Sequence, residues 1–188
     1  MQTEYELRIL NVDKADILKR LGHIGARKIH DEQLQRRWIM DFSDNRLWRD
    51  GGWVRVRKVG DLRTELSYKQ RSYPHAIDSS KEIYLEVNDG GALLNLLQTI
   101  GLEVKKYQEN KRLRYALDDI VFDLDTWPGK KPYLEIESKT AAAVRAMALR
   151  LGFTEEQYCY VAGPELHRLL GFTEDDMKNI RFSYAYDH

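Results

Sequence analysis

The chain has 188 residues, 43% of them hydrophobic and 32% charged, and its 30 Lys and Arg are matched by 30 Asp and Glu. That is enough apolar material for one substantial domain, and a net charge of zero argues against a nucleic-acid coat or a membrane-surface protein, which need a basic excess. A single cysteine, Cys159, excludes an intramolecular disulfide; with no apolar signal core and no run long enough to cross a bilayer, the chain reads as soluble and cytoplasmic.

Read at period two, Glu4, Glu6 and Arg8 fall on one face of an N-terminal strand, and Tyr5, Leu7 and Ile9 on the other. From Val12-Asp13 a helical pattern runs through Leu18 and Leu21 and stops at Gly22 and Gly25. Strands are expected over 26–30 and 33–42, the second with Gln35, Arg37 and Ile39 on one face, before turns at Asp44-Asn45 and Asp50-Gly51-Gly52. The next two strands set Trp53, Arg55 and Arg57 against Val54 and Val56, then Arg63, Glu65, Ser67 and Lys69 against Leu66 and Tyr68. Residues 72–80, with Pro74, read as a loop, and Lys81 to Val87 as a strand showing Glu82, Tyr84 and Glu86 on one side.

A helix over 92–97 ends at Gly101. A long strand over 103–117 carries Asn110, Arg112 and Arg114 on one face, and Ile120 to Asp125 returns with Asp123 and Asp125. After Pro128-Gly129, Tyr133 to Lys139 puts Glu135, Glu137 and Lys139 on one side and Leu134 and Ile136 on the other. An Ala-rich helix over 140–151, a short helix over 163–170 and a polar, aromatic tail with one helix over 173–180 complete the chain. No composition break marks a second domain: residues 1–171 read as one domain and 172–188 as its C-terminal extension.

About eight strands thus alternate aliphatic residues with ionisable ones of specified sign. The acids are Glu4, Glu6, Glu82, Glu86, Asp123, Asp125, Glu135 and Glu137; the bases are Arg8, Arg37, Arg55, Arg57, Lys69, Arg112 and Arg114. Solvent faces usually mix Ser, Thr, Gln and Lys rather than repeat Arg-x-Arg and Glu-x-Glu. An α+β fold accounts for the pattern: a closed antiparallel eight-stranded β-barrel, apolar outside under covering helices, with the charges in one wet tunnel. Guanidinium groups converge on phosphate oxygens. Clustered carboxylates repel unless a divalent cation lies between them, and oxygen-only ligands select Mg²⁺ or Mn²⁺ over zinc. Together the two sets describe a polyphosphate that chelates metal.

On these residues the chain resembles the CYTH superfamily, the triphosphate tunnel metalloenzymes. Glu4-x-Glu6-x-Arg8 is similar to its ExExK opening, Val54-Arg55-Val56-Arg57 to its LRxR strand, and Leu66-Ser67-Tyr68-Lys69 to the strand that follows. Glu82 and Glu86 resemble its central acidic strand, Arg112 its Lys-x-Arg strand, Asp125 its late Asp, and Tyr133-Leu134-Glu135-Ile136-Glu137 its FxEIE strand. Three departures stand out: Arg8 in place of the opening Lys, Asn110 in place of a Lys, and Arg37 and Ile39 where cyclase-like members have Asp and Tyr.

The resemblance implies a metal-dependent triphosphate hydrolase acting on tripolyphosphate, thiamine triphosphate or a nucleoside triphosphate. Its alternatives are a class IV-type adenylate cyclase and a non-catalytic polyphosphate-binding module. Glu4, Glu6 and Arg8 would be catalytic, and Arg8, Arg37, Arg55, Arg57, Lys69, Glu82, Arg112 and Arg114 would grip the substrate. Glu4, Glu6, Asp125, Glu135 and Glu137 would hold Mg²⁺ or Mn²⁺. Because Arg does not lose its proton, Arg8 can stabilise charge but cannot act as an acid. In a cyclase, Tyr84, Trp53 or Trp127 would line a base pocket, although packing is the simpler use of each. The partner implied is a triphosphate-bearing small molecule, with neither nucleic acid nor membrane, and the protein is expected as a monomer or homodimer. His23, His30, His75, His167 and His188 show no ligand spacing, Cys159 reads as a packed side chain, and Lys130-Lys131 as a solvated turn or a guide for anions.

Overall fold

The structure, a computed structural model, describes residues 1–71, 77 and 80–184, the side chains of Gln2, Glu4 and Ser80 excepted. The expected loop at 72–80 therefore lies largely outside the described residues, as do His75 and His188.

The alternating stretches form strands β1 (Gln2–Ile9), β2 (Arg27–Phe42), β3 (Gly52–Val59), β4 (Arg63–Arg71), β5 (Ser80–Val87), β6 (Leu102–Leu117), β7 (Ile120–Thr126) and β8 (Tyr133–Ser138), with a short β9 (Asn179–Ile180). Helices α1 (Lys14–His23), α2 (Arg46–Arg49), α3 (Gly90–Thr99), α4 (Ala141–Arg150) and α5 (Pro164–Leu169) interrupt them. Local chemistry starts three of these helices: the side chains of Asp13, Asp89 and Thr140 accept from the backbone N–H of Asp16, Ala92 and Ala143. At Gly51 the chain turns with φ +74°, and a Cβ there would meet the Arg71 carbonyl oxygen at 2.7 Å, so the β3–β4 ribbon requires glycine at this point.

The strands lie in the order β2-β3-β4-β5-β1-β8-β7-β6-β9, antiparallel except for β6 with β9, and β2 also pairs with β6 along most of its length. The sheet is thus strongly curled. The expectation of a sealed barrel is corrected at one seam: among the described residues the β1–β5 ladder is confined to Gln2–Glu4 against Ser80–Glu82. Beyond it, the segment around Cys159 lies beside β1, exchanging backbone hydrogen bonds with Arg8 at 2.8 and 2.9 Å, and the wall stays open there.

The two faces of this sheet are sorted by polarity. Outward apolar residues of β1, β7 and β8 (Leu7, Phe122, Leu124, Leu134 and Ile136) pack under α1 and α4 through Ile17, Leu21, Val144 and Met147. Met40, Val56 and Leu102 pack under α3 through Leu93 and Leu97. The inward face keeps the charges. A third apolar cluster, around Trp127, Tyr133, Leu166, Phe172, Met177 and Ile180, seats α5 and the following segment against the curled sheet.

Two expected elements change. The strands over 26–30 and 33–42 are one strand, because register shifts near His30 and Gln33 absorb the break in alternation without ending it. The helix expected over 173–180 is a single 3₁₀ turn, Asp176–Lys178, followed by β9 beside Tyr107 and Gln108. No helix among the described residues is long and apolar enough to cross a membrane.

Candidate active site

The curled sheet encloses a cavity of about 860 Å³ lined by Glu6, Arg8, Arg37, Arg55, Arg57, Lys69, Glu82, Arg112, Arg114, Glu135 and Glu137. The side chain of Glu4 is outside the described residues; its backbone pairs with Ser80. Asp123 and Asp125 are buried behind this lining, at 1% and 0% exposure, holding the guanidinium groups that form it. Glu86 has an exposed side chain and its nearest cation is Arg63, at 3.6 Å, so it stands off the cavity. Alternation had given its face but not its depth along the bore.

Cross-strand register decides which charges meet. Arg8 lies opposite Glu135, with Nη2 at 2.6 Å from Glu135 and 2.8 Å from Glu6, and its Nη1 donates to the Val161 carbonyl oxygen at 3.1 Å. Burial works against this charge, yet Glu135 and Glu6 outweigh it and hold the guanidinium well above its usual value. Arg112 lies opposite Asp125 and donates to Asp125, Asp123 and, at 3.3 Å, Glu135. Arg114 donates to both oxygens of Asp123 at 2.7 and 2.6 Å. Arg57 donates to Glu65 at 2.5 Å and Arg55 to Glu82 at 3.0 Å; Lys69 is 3.4 Å from Glu82. Although burial pushes the Glu65 carboxyl up, Arg57 and Arg63 more than offset it and bring it down to about 2.

Among the residues that line the cavity, two cross-strand pairs set like charges directly opposite each other. Glu6 of β1 is directly opposite Glu137 of β8, and Arg37 of β2 is directly opposite Arg57 of β3. Like charges so placed destabilise a sheet. The Glu137 carboxyl is pushed up to about 7 by burial and then by Glu135 and Glu6. Arg37 is pushed down to about 9 by burial, which Asp125 opposes and Arg112, Arg57 and Arg55 reinforce, and Arg57 to about 10 by burial and Arg55 against the pull of Glu65. In the strand order, β1–β8 and β2–β3 stand on opposite sides of the curl, so two facing acids stand across the cavity from two facing bases, with Arg8 already on Glu6 and Glu65 already on Arg57.

The expected metal set was tested on its donor chemistry. Asp125 is already engaged, accepting from Asn110 at 2.9 Å, from Tyr133 at 2.8 Å and from Arg112 at 2.7 and 2.5 Å. Among the described residues no three His, Cys, Asp or Glu side chains form a ready-made ion cage. Of the expected set, Glu6, Glu135 and Glu137 are the oxygen donors that line the cavity; Arg8 already bridges the first two, and a hard divalent cation beside Glu137 would relieve the repulsion left on it.

Several lining residues lay outside the expected site. Arg63 and Glu65 share the alternating face of Lys69, and Tyr133 shares that of Glu135, so strand parity could have included them. Lys106 and His167 also line the cavity, and no local pattern marks them. Trp53, Tyr84 and Trp127 are lining residues as well; Trp53 stacks at a tilt on Trp48 at 5.9 Å, and Trp127 packs in the third cluster. Cys159 packs against that same cluster. Lys130 does not guide the mouth: it donates to the Gly171 carbonyl at 3.1 Å and lies over Phe172.

Comparison with known proteins agrees with this geometry. The sequence matches the model of the CYTH domain over residues 2–156. No curated relative matches it. Among solved structures the fold is similar to the PH1012 protein of Pyrococcus horikoshii (22% identity, 87% of this chain and 98% of that one, TM-score 0.73). It is similar too to a candidate adenylate cyclase of Vibrio parahaemolyticus (15% identity, 89% and 98%, TM-score 0.79). A third likeness is to a candidate adenylyl cyclase of Hippeastrum described as having a dominant triphosphatase activity (20% identity, 89% and 94%, TM-score 0.60).

Proposed function

The chain belongs to the CYTH domain family, and on that premise we propose that it is a metal-dependent triphosphatase, hydrolysing a substrate with a triphosphate chain. The observation that carries the reading is the pairing of Glu6 with Glu137 on one side of the cavity and of Arg37 with Arg57 on the other. Glu6 keeps Arg8 and Arg57 keeps Glu65, so the imbalance rests on Glu137 and Arg37, and a magnesium or manganese triphosphate supplies a cation to the one and an anion to the other at once. A small anion without metal would relieve only the basic side.

Arg57, Arg55, Lys69 and Arg112 grip the phosphate chain, and because guanidinium groups keep their charge they neutralise what builds on the phosphoryl oxygens in the transition state. Arg8 cannot give a proton to the leaving oxygen; tied to Glu135 and Glu6, it braces the acidic side. Glu6, Glu135 and Glu137 would hold Mg²⁺ or Mn²⁺, which when bound lowers the pKa of water and screens the phosphate charge. A carboxylate of this acidic side would take the proton of the attacking water.

The test is release of phosphate from tripolyphosphate, thiamine triphosphate and ATP with Mg²⁺ or Mn²⁺. Activity is expected against at least one of the three, lost on chelation, and lowered about 10²–10³-fold in kcat/KM by Arg57→Ala, the effect of losing one transition-state donor. Cyclic AMP from ATP would instead assign the cyclase, for which Trp53, Tyr84 and Trp127 line the cavity. Tight binding without turnover would leave a polyphosphate-binding module.

A further inference from the structure

His167, in α5, is buried to 6% exposure and lines the cavity, yet neither ring nitrogen has a hydrogen-bond partner among the described residues. Buried polar groups are nearly always paired, and each one left alone costs stability, so an imbalance of this kind needs an explanation. Packing alone does not supply it. The ring sits edge-on to Trp127 at 4.4 Å and near Phe172, contacts that a phenylalanine would make equally well.

Two cations stand close by, Arg37 with Asp125 acting on it and Lys106 with Glu174. Arg37 also lies over Trp127, at 5.1 Å; it donates to Gln35, and its buried Nε has no acceptor among the described residues. Lys106, which lines the cavity and lies over Trp48 at 5.7 Å, is the other charge felt by His167. Burial first, then Arg37 and Lys106, push the imidazole down to about 3, so it is neutral at working pH, with one N–H to donate. A neutral donor beside two cations suits an acceptor-rich anion and repels a further cation.

Resting on the triphosphate reading above, we propose that His167, with Arg37 and Lys106, forms a phosphoryl-reading cluster at the α5 end of the cavity, in which the imidazole N–H donates to a phosphoryl oxygen. The cluster makes α5, an element outside the alternating strands, part of the substrate site. It also fixes one part of the phosphate chain.

The probe is tripolyphosphate with Mg²⁺, on the full-length protein. Calorimetry should show the parent binding, and H167F, which keeps the ring packing and removes the donor, binding about tenfold or more weakly, as expected for one hydrogen bond to a charged group. H167Q, which restores an N–H, should recover part of that loss, and in steady-state assays the cost should fall on KM more than on kcat. Independently, the imidazole ¹⁵N signals of His167 in the parent should move on saturation while those of exposed His23 do not; this readout decides the matter if H167F fails to fold. Unchanged affinity in H167F, or unmoved His167 signals at saturation, overturns the assignment and leaves the triphosphatase reading intact. A parent that binds no tripolyphosphate, thiamine triphosphate or ATP overturns both.

Discussion

At the scale of single residues, Glu137 gives the sharpest consequence of a like-charge pair. Its folded carboxyl is raised to about 7 by burial, Glu135 and Glu6, whereas in the unfolded chain it ionises at the usual 4.5. Between these values the folded state keeps a proton that the unfolded state has released. Stability of the metal-free protein therefore falls as pH rises from 4.5 to about 7, and the whole loss is present above that. Glu65 works in the other direction and lower, its stabilisation fading only as pH drops from 4.5 toward about 2. Replacing Glu137 with Gln removes the charge while keeping the shape. In urea melts without metal, E137Q should be more stable than the parent by about 2–3 kcal/mol at pH 8 and equal to it near pH 4. Equal stability at pH 8 would show that Glu6 and Glu137 do not repel in the folded protein.

At the scale of elements, what the sequence disclosed was the face of each strand. Arg55 and Arg57, or Glu135 and Glu137, are placed by parity alone, since a one-residue slip would turn every charge of the strand into the apolar outer layer. Parity says nothing of position along the bore, which is why Asp123 and Asp125 fall behind the lining and Glu86 outside it. Nor does it carry across a bulge, where β2 changes register near His30. The C-terminal segment was harder still, because its short turn and two-residue strand have no period to read. Among the residues that hold it, Met177 is fully buried in the third cluster, and its carbonyl accepts from Gln108 at 2.9 Å. Met177→Ala should cost about 2–4 kcal/mol in denaturant melts, the usual cost of emptying such a site. If α5 belongs to the substrate site, the same variant should also raise KM for the triphosphate. A stability loss without any change in KM would confine the segment to a structural role.

At the scale of the whole molecule, a chain of zero net charge is built around a cavity whose two sides are each out of balance. The overall count of charges concealed this, since it sums over surface and cavity alike, whereas inside the cavity Arg37, Arg55 and Arg57 face Glu6, Glu135 and Glu137. Folding without ligand must hold those groups together against their repulsion, so the folded state should gain more from a metal triphosphate than the unfolded chain, in which the same groups are dispersed. At one hundred times its dissociation constant, a ligand that binds only the folded state adds about 2.7 kcal/mol. For a chain of this length that corresponds to a rise in Tm of roughly 5–10 °C. The rise should require both components. Tripolyphosphate with chelator satisfies only the basic side, and Mg²⁺ alone only the acidic side, so each should give a smaller shift, and the two shifts together should fall short of that of the complex. Thermal melts with tripolyphosphate, with Mg²⁺ and with both test this directly. An effect from the pair no larger than the sum of its parts would mean that the acidic and basic sides act as separate sites, and the single-cavity account would fail.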